Sequence, residues 1–143
     1  MVAVQTLLEE MSDALEPVDK ELQSTLPNEP VINADETGLR DRWLWVFVTS
    51  TFIYFRVGAS RGYKTLVDVL GATYDGILCV DRWGAYTKYH NGGMQICWAH
   101  LKRDFQWILD VGLNNFSVDK IVFAKRIKKL MGRLMALWHK FNL

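Results

Sequence analysis

The stretch Trp43-Leu44-Trp45-Val46-Phe47-Val48 constrains this chain more than any other. Its aromatic and β-branched content reads as a strand. Alternation sends Trp43, Trp45 and Phe47 one way and Leu44, Val46 and Val48 the other, so the strand is expected to be covered on both faces. It is also the longest purely apolar run in the 143 residues, far short of the roughly 20 needed to span a membrane. The first 16 residues carry Glu9, Glu10, Asp13 and Glu16 and no base, which excludes a signal or transit peptide. Half the residues are apolar, which excludes general disorder. Two Cys make no disulfide framework, and the expectation is a cytosolic protein with reduced thiols.

Around that strand the pattern is ordered. Residues 31–37 read as a strand ended by Gly38, and Phe52 to Val57 as a third strand after the Ser50-Thr51 break. The period then changes. Ser60 is expected to cap a helix carrying Leu66, Val67, Val69 and Leu70, stopped by Gly71. Ile77 to Val80 is a short buried strand ending at Asp81, and Met94 to Trp98 reads as another after a short connection. A helix with Leu101, Phe105, Ile108 and Leu109 stops near Gly112, and Ser117 opens a long amphipathic one. At the N-terminus Val4, Leu8, Met11, Leu15, Val18 and Leu22 form a helical stripe, which Pro17 is expected to break or kink. The expected divisions are a helical lead-in over 1–30, a core over 31–113 and a basic helical segment over 114–143.

Three antiparallel strands followed by strand–helix–strand crossovers give an α/β mixed sheet with helices on both faces. That is the element order of the ribonuclease H-like fold. In that order the strands bearing Asp35 and Asp81 are neighbours, so the two carboxylates meet. Adjacent carboxylates repel unless a cation lies between them, and Mg²⁺ (or Mn²⁺) favours such hard oxygen ligands.

The net charge of +1 hides an asymmetry: residues 1–36 hold nine acids and one Lys, and residues 37–143 hold 16 bases and seven acids. A basic body with a separate acidic arm suits a polyanion partner. The basic helix Lys120 to Lys140 could follow a DNA backbone, and Arg61, Lys102 and Arg103 are better placed for substrate phosphates. Trp83 is a candidate for stacking on an unpaired base. Cys97 and His100 have metal-ligand spacing, but a structural zinc site needs four ligands, and His90 and Cys79 would have to fold close to complete it.

Asn33-Ala34-Asp35-Glu36-Thr37 with Trp43-Leu44-Trp45-Val46 resembles the start of a transposase catalytic core. So do Ser60-Arg61-Gly62, Val80-Asp81 with Gly84-Ala85-Tyr86, and Cys97-Trp98-Ala99-His100 with Arg103 and Phe105. Together, from about Val2 to Phe105, they resemble the DDE transposases of the insertion-sequence sixty-six group. The resemblance implies a prokaryotic, cytoplasmic and nucleoid-associated enzyme. It would cut and rejoin DNA with divalent metal, acting as a homo-oligomer on transposon ends and target, with no membrane. Asp35 and Asp81 would be the first two acids of the catalytic set, and His100 would lie near the rim. Arg82-Trp83 departs from the family's Gly-aromatic pair and puts a cation beside the metal site, where it weakens metal binding or contacts phosphate.

The family's third acid is a Glu beyond a helical insertion. Residues 117–143 look like the start of that insertion, and no Glu follows Glu36. The chain is therefore expected to be an incomplete catalytic core, inactive alone. Asp104 and Asp110 are the in-chain substitutes, with Asp104 on the helix face of His100. The competing readings are a catalytically dead DNA-binding and oligomerisation remnant, and a ribonuclease H-like nuclease.

Overall fold

A computed structural model describes residues 2–141. The order is α1 (Val2–Thr25), a 3₁₀ turn (Leu26–Asn28), β1 (Val31–Leu39), β2 (Arg42–Val48), β3 (Ile53–Gly58), α2 (Lys64–Leu70), β4 (Ile77–Val80), α3 (Gly84–Tyr89), β5 (Met94–Ile96), α4 (Trp98–Val111), a second 3₁₀ turn (Gly112–Asn114) and α5 (Val118–Phe141). The fold is mixed α/β, with one five-stranded sheet in the order β3-β2-β1-β4-β5. β1 pairs antiparallel with β2 and parallel with β4, and β2 pairs antiparallel with β3. The chain divides into two compact units, the first through Gln95 and the second from Ile96.

In the first unit, local chemistry sets the turns. Arg40 takes a left-handed φ of 54° at the tight β1–β2 reversal, where Leu39 pairs with Arg42. The β2–β3 reversal is tied by Thr49, whose hydroxyl accepts the N–H groups of Thr51 (3.2 Å) and Phe52 (3.1 Å). Gly58 has no side chain for a packing reason: a Cβ there would lie 2.9 Å from Thr65 Oγ1 and 3.1 Å from Trp45 Nε1. That gap lets Trp45 Nε1 donate to Ser60 O at 3.2 Å.

The core lies on one face of the sheet. Ile32 and Ala34 of β1, Trp45 and Phe47 of β2, Tyr54 of β3, and Leu78 and Val80 of β4 meet Leu66, Val69 and Leu70 of α2 and Tyr86 of α3. Trp45 stacks on Phe47 at 6.4 Å and meets Tyr86 edge-on at 6.0 Å. Each fully buried large side chain contributes about 1.5–3 kcal/mol. The other side of β2 is only half-buried, and Ile53, Phe55 and Val57 of β3 are exposed. The expectation of a strand covered on both faces is thus met at Trp45 and Phe47 on one face, with Trp43 half-buried at its end, and only partly on the other.

Other elements differ from the sequence reading. β1 runs through Gly38 to Leu39, since an extended glycine still supports a ladder. α1 continues through Pro17 without a break. Proline removes one helical hydrogen bond, and on this exposed helix water can bond the freed carbonyl. Ser60 does not cap α2; its hydroxyl accepts the Gly62 N–H at 3.2 Å, and the helix opens at Lys64. Gly71 does end it, with φ 83° and its N–H bonded to Val67 O. Residues 84–89, expected as connection, form α3. β5 stops at Ile96 and is half-buried to exposed, and Trp98 opens α4 instead of closing a strand.

The second unit is a helical pair. Phe105 of α4 meets Phe123 of α5 edge-on at 6.0 Å, and Ala124 and Met131 are its buried residues. Gly112, at φ 64°, ends α4.

Three tyrosines of the first unit predict the alkaline limit of the fold. Burial pushes Tyr74 and Tyr89 up to about 12, and raises Tyr86 further still. A phenol held neutral in the folded state stabilises it fully below its unfolded value near 10. That contribution is lost as pH rises from there through about 12, because the unfolded chain ionises first. Base titration followed by tyrosinate absorbance and circular dichroism together is expected to show three of the five tyrosines ionising only as the chain unfolds. More than two tyrosinates forming with the fold intact near pH 10 would contradict it.

Candidate active site

Strand alternation sorts the acids of β1. Val31, Asn33 and Asp35 are exposed, whereas Ile32, Ala34 and Glu36 are buried. The parallel ladder with β4 runs Val31↔Ile77, Ile32↔Leu78 and Asn33↔Cys79. Asp35 stands two residues past Asn33, and Asp81 two past Cys79. Both acids therefore stand two residues beyond the last pair of the β1–β4 ladder, Asp35 in the middle of β1 and Asp81 directly after β4. Asp35 Oδ1 accepts the Glu36 N–H at 3.0 Å, and Asp81 Oδ1 accepts the Trp83 N–H at 2.7 Å. These bonds use one oxygen of each carboxylate and fix its orientation.

Glu36 is the acid that sequence reasoning passed over. Its side chain is 0% exposed, and a buried carboxylate needs partners. It has two. Arg61 Nε donates to Oε1 at 2.6 Å, and the Tyr86 hydroxyl donates to Oε2. Arg61 also brings Nη2 to 4.0 Å from Asp81 Oδ2, so a single guanidinium spans both carboxylates. Its planar group lies 4.1 Å from the Trp83 ring centroid and 5.2 Å from that of Trp43. Trp83 closes the arrangement by donating Nε1–H to Arg61 O at 3.2 Å.

Tyr86 reports how closely the acids gather. Its phenol is raised first by burial, then by the bond to Glu36, and then by the charges of Glu36, Asp81 and Asp35. All three carboxylates thus act on one phenol. The signal for Glu36 was present in the sequence, since period two puts it in phase with Ile32 and Ala34. Tyr86 stood in a quoted motif, but nothing in the sequence alone tied it to an acid 50 residues away.

Arg61 is committed to Glu36 and two indoles, with its side chain 33% exposed. Arg82 is exposed directly after Asp81, and Trp83 is 42% exposed with Arg61 against its ring. His100, Lys102 and Arg103 belong to α4 in the second unit. There Lys102 lines a cleft of about 410 Å³ with Trp98, Lys128, Met131 and His139. His100 is half-buried with Nδ1 lacking a hydrogen-bond partner, and Arg103 is exposed.

Among the described residues no group of three or more His, Cys, Asp or Glu is arranged to hold a metal ion. The donor chemistry of the Asp35–Asp81 pair still suits a hard cation. Mg²⁺ is commonly held by one or two carboxylates, with water and substrate phosphate completing its shell.

Fold and site define a mixed α/β domain with carboxylates on adjacent strands, Asp35 and Glu36 in mid-β1 and Asp81 directly after β4. The family model described as Transposase IS66 family matches residues 2–141. The chain belongs to that family, whose members act in DNA transposition. No curated relative matches the chain. Among the described residues no helix is long and apolar enough to cross a membrane.

Proposed function

We propose that this chain carries the catalytic core of a DDE-type transposase built on a ribonuclease H-like sheet, with Asp35 and Asp81 as metal-holding catalytic acids. The observation that carries the reading is their position on the adjacent parallel strands β1 and β4, Asp35 in mid-β1 and Asp81 directly after β4, each two residues past the last pair Asn33↔Cys79, in a sheet ordered β3-β2-β1-β4-β5. Asp35 and Asp81 would hold Mg²⁺ or Mn²⁺. Such an ion activates an attacking oxygen and stabilises the leaving oxygen of a phosphodiester. In cleavage a water oxygen bonds to phosphorus as the 3′-oxygen leaves and takes up a proton; in joining, the oxygen of that 3′-hydroxyl bonds to a target phosphorus, losing its proton, as the target strand's own 3′-oxygen leaves. The protein's own part is positioning and charge. Arg61 steadies Asp81 from one side, and the Trp83 N–H steadies it from the other. Glu36 and Tyr86 hold Arg61 and the strand ends together. In the first unit, exposed Arg82 and Trp83 follow Asp81 directly and are offered to a DNA phosphate and base; in the second unit, taken by itself, Lys102, Arg103 and His100 of α4 are candidate DNA contacts.

The test uses the complete protein on DNA carrying the element's own ends. Cleavage and joining are expected with Mg²⁺ or Mn²⁺, to vanish on chelation and to return when the metal is restored. Activity that survives chelation would overturn the metal reading. Specific DNA binding without cleavage under any metal would favour the catalytically dead remnant. Faster cleavage of RNA–DNA hybrid than of DNA would favour the nuclease.

A further inference from the structure

The helical pair of the second unit encloses a cleft that the carboxylate chemistry does not use. α4 and α5 run antiparallel. Phe105 and Gln106 of α4 meet Phe123 and Lys128 of α5, whereas Trp98 and Lys102, earlier on α4, line the cleft with Met131 and Met135, later on α5. Its volume of about 410 Å³ lies in the range of small-molecule sites, roughly 300–1,000 Å³. Gly132 lines it without filling it, and a Cβ there would meet nothing within 4 Å.

The two ends of the cleft differ in chemistry. Lys102 and Lys128 stand towards the α4–α5 turn; Trp98 and Met135 stand away from it and offer an indole and a thioether, and the buried Met131 lines it as well. Among the described residues no acid lines the cleft. Lys128 is half-buried, and its ammonium donates to the neutral side-chain oxygen of Gln106, which in turn donates to Asp110 at 2.5 Å. A half-buried ammonium held by an amide favours an anion beside it. Lys125 neighbours both Lys128 and Lys129 on the helix surface, at i+3 and i+4, so positive charge continues from the cleft along α5. A flat apolar group, an anion next to it and further anions beyond describe an unpaired nucleotide within a strand. A duplex would satisfy the lysines but keep its bases paired and stacked away from Trp98. An uncharged apolar ligand would leave the lysines unmet.

We propose that this cleft takes one unpaired nucleotide of a DNA strand, its base against Trp98 and its phosphate on Lys102 and Lys128. The proposal rests on the DNA partner of the reading above and not on its metal or its carboxylates. The test titrates the 143-residue chain, with chelator present, into a labelled single strand and into the same strand annealed to its complement. The single strand is expected to bind at least about tenfold tighter than the duplex. A 2-aminopurine flanked by thymines in that strand is expected to be quenched on binding. Trp98→Ala is expected to abolish the quenching and the preference while leaving duplex affinity unchanged. Gly132→Leu fills the cleft where the helix has room for a side chain, and is expected to do the same with the helical circular dichroism intact. Lys102→Gln with Lys128→Gln is expected to lower the salt slope of single-strand binding by about 1.4. Equal affinity for single strand and duplex would overturn the cleft and leave the DNA partner standing; no affinity for either would overturn both. An unchanged preference in Trp98→Ala or Gly132→Leu would also overturn it, as would a deoxynucleoside monophosphate bound as tightly as the strand.

Discussion

Replacing Asp35 or Asp81 with Ala in the complete protein is expected to lower DNA strand transfer by about 10³-fold or more while leaving the fold intact. A catalytic metal supplies several kcal/mol of transition-state stabilisation, and each 1.4 kcal/mol is a factor of ten. Neither acid is committed to the core. Asp35 is exposed and accepts the Glu36 N–H, so its removal is expected to cost no more than about 1 kcal/mol. Asp81 accepts the Trp83 N–H, and losing that bond costs about 1 kcal/mol. Asp81→Asn keeps an oxygen for that N–H but gives up the charge, so it separates the two effects: stability near wild type, activity lost. The control is Asp75→Ala, an exposed acid just before β4, expected to leave activity unchanged. Strand-transfer rates and denaturant midpoints on the same preparations decide the matter. An Asp35→Ala protein with wild-type rates would remove the site reading.

The elements that could be read from the sequence are those whose pattern is set by local burial. β2 and β4 are short, dense in β-branched and aromatic residues, and bounded by polar or glycine residues. α4 and α5 keep a helical period over 14 and 24 residues. What could not be read depended on distant partners. α3 is six residues long, and its Ala85 and Tyr86 are fixed by packing under the sheet and not by propensity. Ser60 has the right chemistry for a cap but spends its hydroxyl one turn early, on Gly62. Pro17 reads as a breaker, yet on an exposed helix the lost bond is small against the cooperativity of the flanking turns. At the site, the acids Asp35 within β1 and Asp81 after β4 were legible as strand positions. That Arg61 would join Glu36 to Asp81 was not, because residues 36, 61 and 81 meet only through the sheet order.

That joining gives Arg61 the largest expected effect on stability. Arg61→Ala leaves Glu36 fully buried without its cation, and breaking one side of a buried ion pair costs about 3–5 kcal/mol. For a chain of 143 residues, at roughly 0.05–0.15 kcal/mol per residue, that is a large share of the total. Arg61→Lys keeps the charge but loses the flat surface between Trp43 and Trp83, so it is expected to fall between Ala and wild type. The decisive comparison is the double variant Arg61→Ala with Glu36→Gln. Gln removes the buried charge and can still take the Tyr86 hydroxyl bond, so most of the loss is expected to return. Urea unfolding of the four proteins measures this coupling. If Arg61→Ala costs under about 1 kcal/mol, or if Glu36→Gln adds to it instead of offsetting it, the guanidinium is a surface group and not the clamp. A measured clamp carries a further consequence. Arg61 touches Asp81 only at 4.0 Å, so strand transfer in Arg61→Lys is expected to fall more than its stability does, because Asp81 is held less firmly before the fold is lost.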